Sequence, residues 1–159
     1  MPFVSGEDLS AAKLNAAVGA AWVNYTPVWS ATTSPPSVGN GSLVGRWTKI
    51  GSTVHVRINL IFGSTTNIGS GVYDFSLPET AAAAAGGVAS AGGPIWVGSA
   101  YALDAGTADR AGVTRIMSSA TTMRVGTEVG GQPWGHNFPL TWAVNDIISL
   151  CATYEGQAF

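Results

Sequence analysis

The residues that could carry chemistry in this sequence are few and lie far apart. There are two histidines, His55 and His136, one cysteine, Cys151, and nine carboxylates among 159 residues. A zinc site needs three or four His, Cys or carboxylate ligands at short characteristic spacings, and no such spacing occurs. No phosphate-binding loop or nucleophile elbow is present with its required flanking residues. We therefore predict no catalytic residue, no metal, no cofactor, and a protein that is not an enzyme.

The loop at residues 130–139 is the most promising surface segment, because it combines two aromatic rings with a histidine. Aromatic side chains on exposed loops can stack on sugar faces or anchor a protein partner. Trp134, His136 and Phe138 are therefore candidate ligand-binding residues, and a host-surface glycan is a candidate ligand. In the alternative interpretation, Trp134 folds back over the end of the domain as a lid.

The single cysteine, Cys151, lies in an apolar run with strand character. An intrachain disulfide is impossible, and a catalytic thiol would need a histidine and an orienting group. We interpret Cys151 as a buried structural residue.

The composition is poor in charge. Charged residues make up 10% of the chain, against about 25% in an ordinary soluble domain. Part of the surface is therefore expected to be buried against partners or coated with small polar residues. The seven Lys and Arg residues are scattered and the net charge is −2, which argues against nucleic-acid binding. No run approaches the roughly 20 apolar residues of a membrane span, and the acidic N-terminus does not resemble a secretory signal, so we expect synthesis in a cytoplasm without membrane insertion.

The first 21 residues carry a helical pattern. Ser5 and Asp8 resemble a capping box, and a narrow apolar stripe follows at Ala11, Leu14, Val18 and Ala21. A lone helix of this length is marginal in water, so it needs a partner surface. Three copies around an axis or a socket on a larger particle would supply one, which makes Leu14 and Val18 candidate subunit-interface residues. Packing of the helix on its own domain is the alternative.

From residue 22 onward the signals are those of β-structure, most clearly in a hairpin formed by residues 42–50 and 53–62. Gly51-Ser52 between them fits a two-residue type II′ turn. The second strand alternates, which predicts a core face made of Val54, Val56, Ile58, Leu60 and Phe62. The register places Gly45 opposite Ile58, where it leaves room for a large side chain from another strand.

The same register places Arg46 directly opposite Arg57 on the other face of the hairpin. Like charges in this position destabilise a sheet, so a compensating group is expected. Asp74 or Asp146 could supply it within the fold. We prefer a neighbouring subunit, and Arg46 and Arg57 are candidate interface residues.

Further strands are predicted by short alternating runs between turn signals, at residues 72–77, 95–103, 113–118, 121–129 and 146–155. In the last run, Ile148, Leu150, Ala152 and Tyr154 share one face. Trp96, Tyr101 and Trp142 lie in strand-like context and are expected in the core. Several short strands of this kind favour an all-β antiparallel sandwich, jelly-roll-like, over residues 22–159, preceded by the short helix over residues 1–21.

Several motifs resemble a module common in tail- and fibre-associated proteins of tailed phages, notably those of actinobacteria. The resemblance covers most of the chain and rests on YTPVWS at 25–30, GNGSLVGRWTKIGSTV at 39–54, FGSTT at 62–66, GSGVYDFSLP at 69–78, WAVNDIISL at 142–150 and YE at 154–155. The opening FVSGEDLSAAKLNAA at 3–17 is similar to the N-terminal segment of many small phage structural proteins.

The resemblance implies a β-sandwich module on a virion, often trimeric, without catalytic residues. It implies copies of itself as partners, and other virion proteins bound through the N-terminal segment. Two functions remain open: a fibre or minor-tail module that attaches to the host surface, and a capsid decoration protein of the cement or head-fibre type that docks through its N-terminal segment.

Overall fold

A computed structural model describes residues 10, 21–83, 96–126 and 132–157, and these residues form an all-β fold, as predicted. The strands are β1 (Val23–Tyr25), β2 (Trp29–Ala31), β3 (Ser42–Ile50), β4 (Thr53–Ile61), β5 (Tyr73–Ser76), β6 (Trp96–Leu103), β7 (Asp109–Ile116), β8 (Thr122–Gly126) and β9 (Ile147–Glu155). The predicted N-terminal helix, with Leu14 and Val18, lies outside the described residues.

All nine strands belong to one antiparallel sheet in the order β1-β3-β4-β9-β6-β7-β8-β5-β2. The sheet curls so that one face, here called the inner face, lines the core. Trp29 on β2 packs edge-on against Phe62 at the end of β4, with ring centroids 5.7 Å apart. The distant parts of the sheet therefore face each other across the core, although they are joined in one hydrogen-bonded sheet and not in two.

The hairpin of β3 and β4 has the predicted register. Arg46 lies opposite Arg57, and Gly45 lies opposite Ile58. Gly51 has φ of +59°, which the first position of a type II′ turn requires. The Tyr25 ring from β1 fills the space left by Gly45. It is the large side chain from another strand that was predicted for this position.

β6 lies between β9 and β7 in the sheet, and these two strands approach each other at Gly98. Thr114 on β7 reaches across this position and donates its hydroxyl to the Cys151 carbonyl oxygen on β9 at 3.0 Å. A Cβ on Gly98 would overlap that carbonyl oxygen and come within 2.8 Å of the Ala152 Cα. Glycine thus allows two strands separated by a third to touch on the inner face.

The two edges of the sheet are short and lie close together. β1 and β2 have three residues each, and three residues separate them in the chain. The Tyr25 hydroxyl at the end of β1 donates to the Ser76 carbonyl on β5 at 3.2 Å, next to β2. Short edges that face each other offer little unpaired backbone to another chain.

The buried phenols of Tyr73 and Tyr154 and the half-buried phenol of Tyr25 make the fold sensitive to alkaline pH. Burial raises the pKa of Tyr25, Tyr73 and Tyr154 above the ordinary value of 10.0. Each hydroxyl donates to a backbone carbonyl, for example Tyr73 to Ile68 at 2.9 Å. These phenols must stay neutral in the folded state, so their contribution to stability is complete below pH 10 and is lost as the pH rises through the raised pKa values.

We therefore expect urea midpoints that are constant from pH 8 to about pH 10 and fall steeply above it. Phenolate absorbance should lag behind that of free tyrosine and rise together with unfolding. A Tyr73→Phe variant should show a shallower alkaline decline, because one titrating group is gone. Phenolate absorbance that rises with an ordinary tyrosine titration, before any unfolding, would contradict the prediction.

Candidate functional site

Trp134 lies in the core, with 1% of its surface exposed. Its ring packs against Gly112 on β7, where a Cβ would come within 2.6 Å of it. Its backbone is fixed by hydrogen bonds to Val125 and Tyr73, both 2.9 Å long. The indole is therefore not available to stack on a sugar in this structure. This buried position agrees with the alternative interpretation, in which Trp134 folds back onto the domain.

His136 and Phe138 are half-buried neighbours of Trp134. The His136 Nδ1 accepts a hydrogen bond from the Gly71 backbone N–H at 3.0 Å, which ties this loop to the segment before β5. Phe138 packs against the core. The structure thus gives both side chains anchoring contacts, and ligand binding by them stays a prediction.

Arg46 and Arg57 share a partner that the sequence did not reveal. The Arg57 guanidinium carbon lies 4.8 Å from the centre of the Trp22 ring. Arg46 donates to the Trp22 carbonyl oxygen at 3.3 Å. A cation over an aromatic face is attracted by the negative potential of that face, so Trp22 offsets part of the repulsion between the two arginines.

The two carboxylates that could have compensated the arginines within the fold have other partners. Asp74 forms a bidentate pair with Arg124, with distances of 2.9 and 2.7 Å. Asp146 is 1% exposed and accepts hydrogen bonds from the backbone N–H groups of Ala105 and Ala143, at 2.9 and 2.7 Å. It fastens the loop before β9 to the loop after β6.

Replacing Trp22 by alanine should expose the repulsion between Arg46 and Arg57. We expect a loss of about 0.5–1 kcal/mol in the free energy of unfolding, the range for an exposed cation–aromatic contact. The loss should shrink in 1 M salt, which screens exposed charges. Trp22→Phe keeps an aromatic face and serves as the control in urea titrations. Equal losses for both variants at every salt concentration would assign Trp22 a packing role alone.

Trp22, Arg46 and Arg57 lie on the surface of the sheet opposite the inner face. We call the surface of β3, β4, β9, β6 and β7 on that side the outer face. It holds a groove of about 840 Å³. The groove lining includes the small side chains of Ser99, Ser149 and Cys151. The longer side chains of Arg46, Arg57 and Tyr101 flank them.

Cys151 lies on the outer face and is exposed, so its assignment as a buried residue was wrong. It pairs with Arg57 on β4 and Ser99 on β6, and its Sγ lies 3.0 Å from the Ser99 Oγ. The signal was present in the sequence: if Leu150 and Ala152 face the core, strand alternation turns Cys151 outward.

β6 presents two large apolar side chains, Val97 and Tyr101, to the outer face. Val97 is 62% exposed and Tyr101 is 44% exposed, whereas Ala100 and Ala102 are buried in the core. The expectation that Tyr101 belongs to the core was therefore wrong. Trp96 and Trp142 do pack in or against the core, as expected.

Comparison with protein families, with curated proteins and with solved structures found no match to this chain. Within residues 10, 21–83, 96–126 and 132–157, no group of three His, Cys, Asp or Glu side chains is placed to hold a metal ion. The same part of the chain contains no helix long and apolar enough to cross a membrane.

Proposed function

We propose that this chain is a structural subunit of a tailed-phage virion, a fibre or minor-tail type module that assembles with copies of itself and attaches to the host surface. The observation that carries the proposal is the outer face. It exposes Val44 on β3, Ile61 on β4, and Val97 and Tyr101 on β6. Exposed apolar side chains gathered on one face of a sheet favour an interaction site.

The chemistry of the groove suits binding better than catalysis. Among the described residues, its lining provides two guanidinium groups, several hydroxyls, a phenol and the Cys151 thiol, and no carboxylate or imidazole. A thiol or serine nucleophile needs a neighbouring general base. The nearest polar partner of the Cys151 thiol is the Ser99 hydroxyl, which cannot take that role.

We further propose that the sandwich-type domains form a homotrimer, in which the curled sheet of each copy packs against the other two copies. Shared apolar surface would slow unfolding in a particle that must persist outside a cell. Three copies would also multiply weak contacts to a repetitive host surface, so high avidity would not need a deep pocket.

A capsid decoration protein is the second candidate function. Ala21 is exposed, and Trp22 holds the chain on the outer face beside Arg57. The described domain therefore begins on its surface, at Ala21. A segment joined there can reach another virion protein without disturbing the sheet.

Two measurements test the function. Native mass spectrometry of the purified chain should give a closed oligomer, and a monodisperse monomer at micromolar concentration would refute self-assembly. Quantitative mass spectrometry of phage particles that carry the chain then separates the two candidates. A handful of copies together with binding to host cells supports the tail module, and hundreds of copies support the decoration protein.

A further inference from the structure

We propose that the groove on the outer face binds an acidic saccharide, a sugar that carries a carboxylate, and that Arg46 and Arg57 hold this carboxylate. The inference rests on the proposed attachment to a host surface, and it specifies the site and the chemistry of the ligand. It is carried by the free donors of the two arginines, by the polar row beside them and by the size of the groove.

Trp22 holds both arginines in place without neutralising either of them. The Arg57 guanidinium carbon lies over the Trp22 ring, 4.8 Å from its centre. Attraction to a ring face leaves the N–H donors of the guanidinium available. Arg46 gives one donor to the Trp22 carbonyl oxygen at 3.3 Å and keeps the others. Within the described part of the chain, neither guanidinium forms an ion pair with a carboxylate.

The arrangement of the two arginines selects for an anion. Arg46 and Arg57 lie directly opposite each other, and like charges in this position repel. An anion between them is attracted by both and removes the repulsion. The planar fork of a guanidinium matches the two oxygens of a carboxylate. A neutral ligand would forgo this attraction, and a cation would add to the repulsion.

The acidic groups of the outer face lie away from the arginine pair. Glu155 is four residues along β9 from Cys151, the partner of Arg57, which is about 13 Å at about 3.3 Å per residue. Asp109 lies on β7, three positions from β4 in the sheet, or about 14 Å at a strand spacing of about 4.8 Å. Its carboxylate accepts a hydrogen bond from the Tyr101 hydroxyl. An anion at Arg57 therefore meets attraction nearby and repulsion only at a distance.

A row of side chains suited to a sugar ring lies next to the arginines. Asn59 pairs with Ser149, and Ser149 pairs with Tyr101. This row is two residues along the strands from the row of Arg57, which is about 7 Å at about 3.4 Å per residue. It offers an amide, a hydroxyl and an aromatic ring to the groove. A sugar ring has hydroxyl groups at its rim and C–H groups on its faces, so a ring on this row can direct its carboxylate toward the arginines.

The size and the backbone of the groove favour a saccharide over a peptide. Its volume of about 840 Å³ lies within the range of about 300–1,000 Å³ that is usual for ligand pockets. The floor strands β4, β9 and β6 each pair with a strand on both sides, so their backbone groups are already used. A peptide that binds along a sheet needs such groups at a free edge. A saccharide can be held by side chains alone.

Calorimetric titration of the full-length chain with two uronic-acid oligomers, tetragalacturonate and a hyaluronan tetrasaccharide, tests the site. We expect at least one of them to bind. Methyl esterification of its carboxylates should weaken binding by at least about tenfold, because the charge that the arginines recognise is gone. Tetraglutamate should bind more weakly than the saccharide. Equal binding of acid and ester, no binding of either oligomer at about 10 mM, or tighter binding of tetraglutamate would overturn the proposal.

Substitution of the arginines tests their role. Arg57→Gln and Arg46→Gln should each weaken binding of the saccharide by at least about tenfold, the effect of a lost charged hydrogen bond. Both variants should fold, since each removes one of two facing positive charges. Arg57→Lys keeps the charge and loses the planar fork, so its loss of affinity should be smaller than that of Arg57→Gln.

Arg115→Gln is the matched control. Strand pairing places Arg115 on the outer face of β7, opposite Val97. Its guanidinium extends over Gly126 on β8, and it is not part of the groove lining. The substitution changes the net charge by the same amount as Arg57→Gln and should alter the affinity by less than about twofold. Equal losses for all three glutamine variants would mean that net charge alone attracts the saccharide, which refutes the site.

Cys151 reports where the saccharide lies, because it is the sole cysteine of the chain and lines the groove. An oligomer concentration of about ten times the dissociation constant should slow alkylation by iodoacetamide about tenfold, since about one site in eleven is then free. An unchanged rate would place the saccharide elsewhere and overturn the site. A thiol that is unreactive in the free chain would show that residues 1–20 or a second copy fill the groove, with the same consequence.

Binding of the purified chain to host cells separates this inference from the proposed function. Cells that bind the original chain and Arg57→Gln equally would overturn the groove as the attachment site and leave attachment standing. Cells that bind neither, while the saccharide binds the groove in the titration, would overturn attachment and leave the saccharide site standing. We expect binding by the original chain and by Arg115→Gln, and a loss for Arg57→Gln.

Discussion

Gly98→Ala is expected to lower the free energy of unfolding by about 3 kcal/mol or more, at or beyond the upper end of the range for overpacking a core. The added methyl would overlap the Cys151 carbonyl oxygen and lie 2.5 Å from the Thr114 Oγ1. One of these contacts is with backbone, which cannot rotate away. Relief requires β7 and β9 to separate, and this breaks the Thr114 hydrogen bond to Cys151 and opens the curl. Urea unfolding followed by tryptophan fluorescence measures the loss.

Gly126→Ala is the matched control for this prediction. Gly126 also lies in a strand, and a Cβ there would meet the end of the Arg115 side chain at 3.1 Å. That side chain can move, so the substitution should change stability by less than about 1 kcal/mol, the usual range for glycine against alanine in a strand. Similar losses for both variants would show that Gly98 is not the position where the curl depends on glycine.

The parts of the fold that followed from the sequence are those where one strand has a single apolar face. In β4, Val54, Val56, Ile58 and Leu60 alternate with polar residues, so the inward set is unambiguous, and the turn at Gly51 then fixes the register of β3. Every pairing predicted for this hairpin is present. In such strands a shift of one residue would expose the whole apolar set to water, and register is therefore strongly specified.

Strand alternation does not suffice to predict which face of β6 is buried. Its two faces are both apolar, with Val97 and Tyr101 on one and Trp96, Ala100 and Ala102 on the other. Alternation alone cannot decide which set faces the core. The decision comes from neighbours distant in sequence: Gly98 must face inward so that Thr114 on β7 can reach β9. Trp96 and Tyr101 were both predicted in the core although they lie on opposite faces of β6. Tertiary packing turns Trp96, Ala100 and Ala102 inward and leaves Tyr101 outside.

The opposition of Arg46 and Arg57 followed from the hairpin register, but their shared partner Trp22 did not. Trp22 precedes β1 and joins the outer face only because β1 pairs with β3, which places Asn24 beside Arg46. An isolated aromatic residue at the start of an apolar run gives no sign of such a contact. The burial of Trp134 could not be predicted from its own loop either, since it depends on the space beside Gly112 on β7.

The largest side-chain effects are expected in the aromatic cluster of the core. Trp29 packs edge-on against Tyr73 at 5.0 Å and Phe62 at 5.7 Å, and Phe62 stacks on Trp142 at 4.8 Å. Trp29→Ala and Trp142→Ala should each cost about 3–5 kcal/mol, the range for removing a large aromatic side chain from a core. Both losses should appear as lower urea midpoints with unchanged slopes.

Phenylalanine at the same two positions should separate packing from hydrogen bonding. The Trp142 Nε1–H donates to the buried Gly135 carbonyl at 2.8 Å, and its loss should cost about 1–3 kcal/mol beyond the lost packing. The Trp29 Nε1 has no hydrogen-bond partner among the described residues, so Trp29→Phe removes no such bond. Trp142→Phe should therefore be less stable than Trp29→Phe by at least about 1 kcal/mol. The reverse order would mean that the Trp142 hydrogen bond does not hold the loop at residues 132–140 onto the core, and that packing alone fixes Trp134 beneath it.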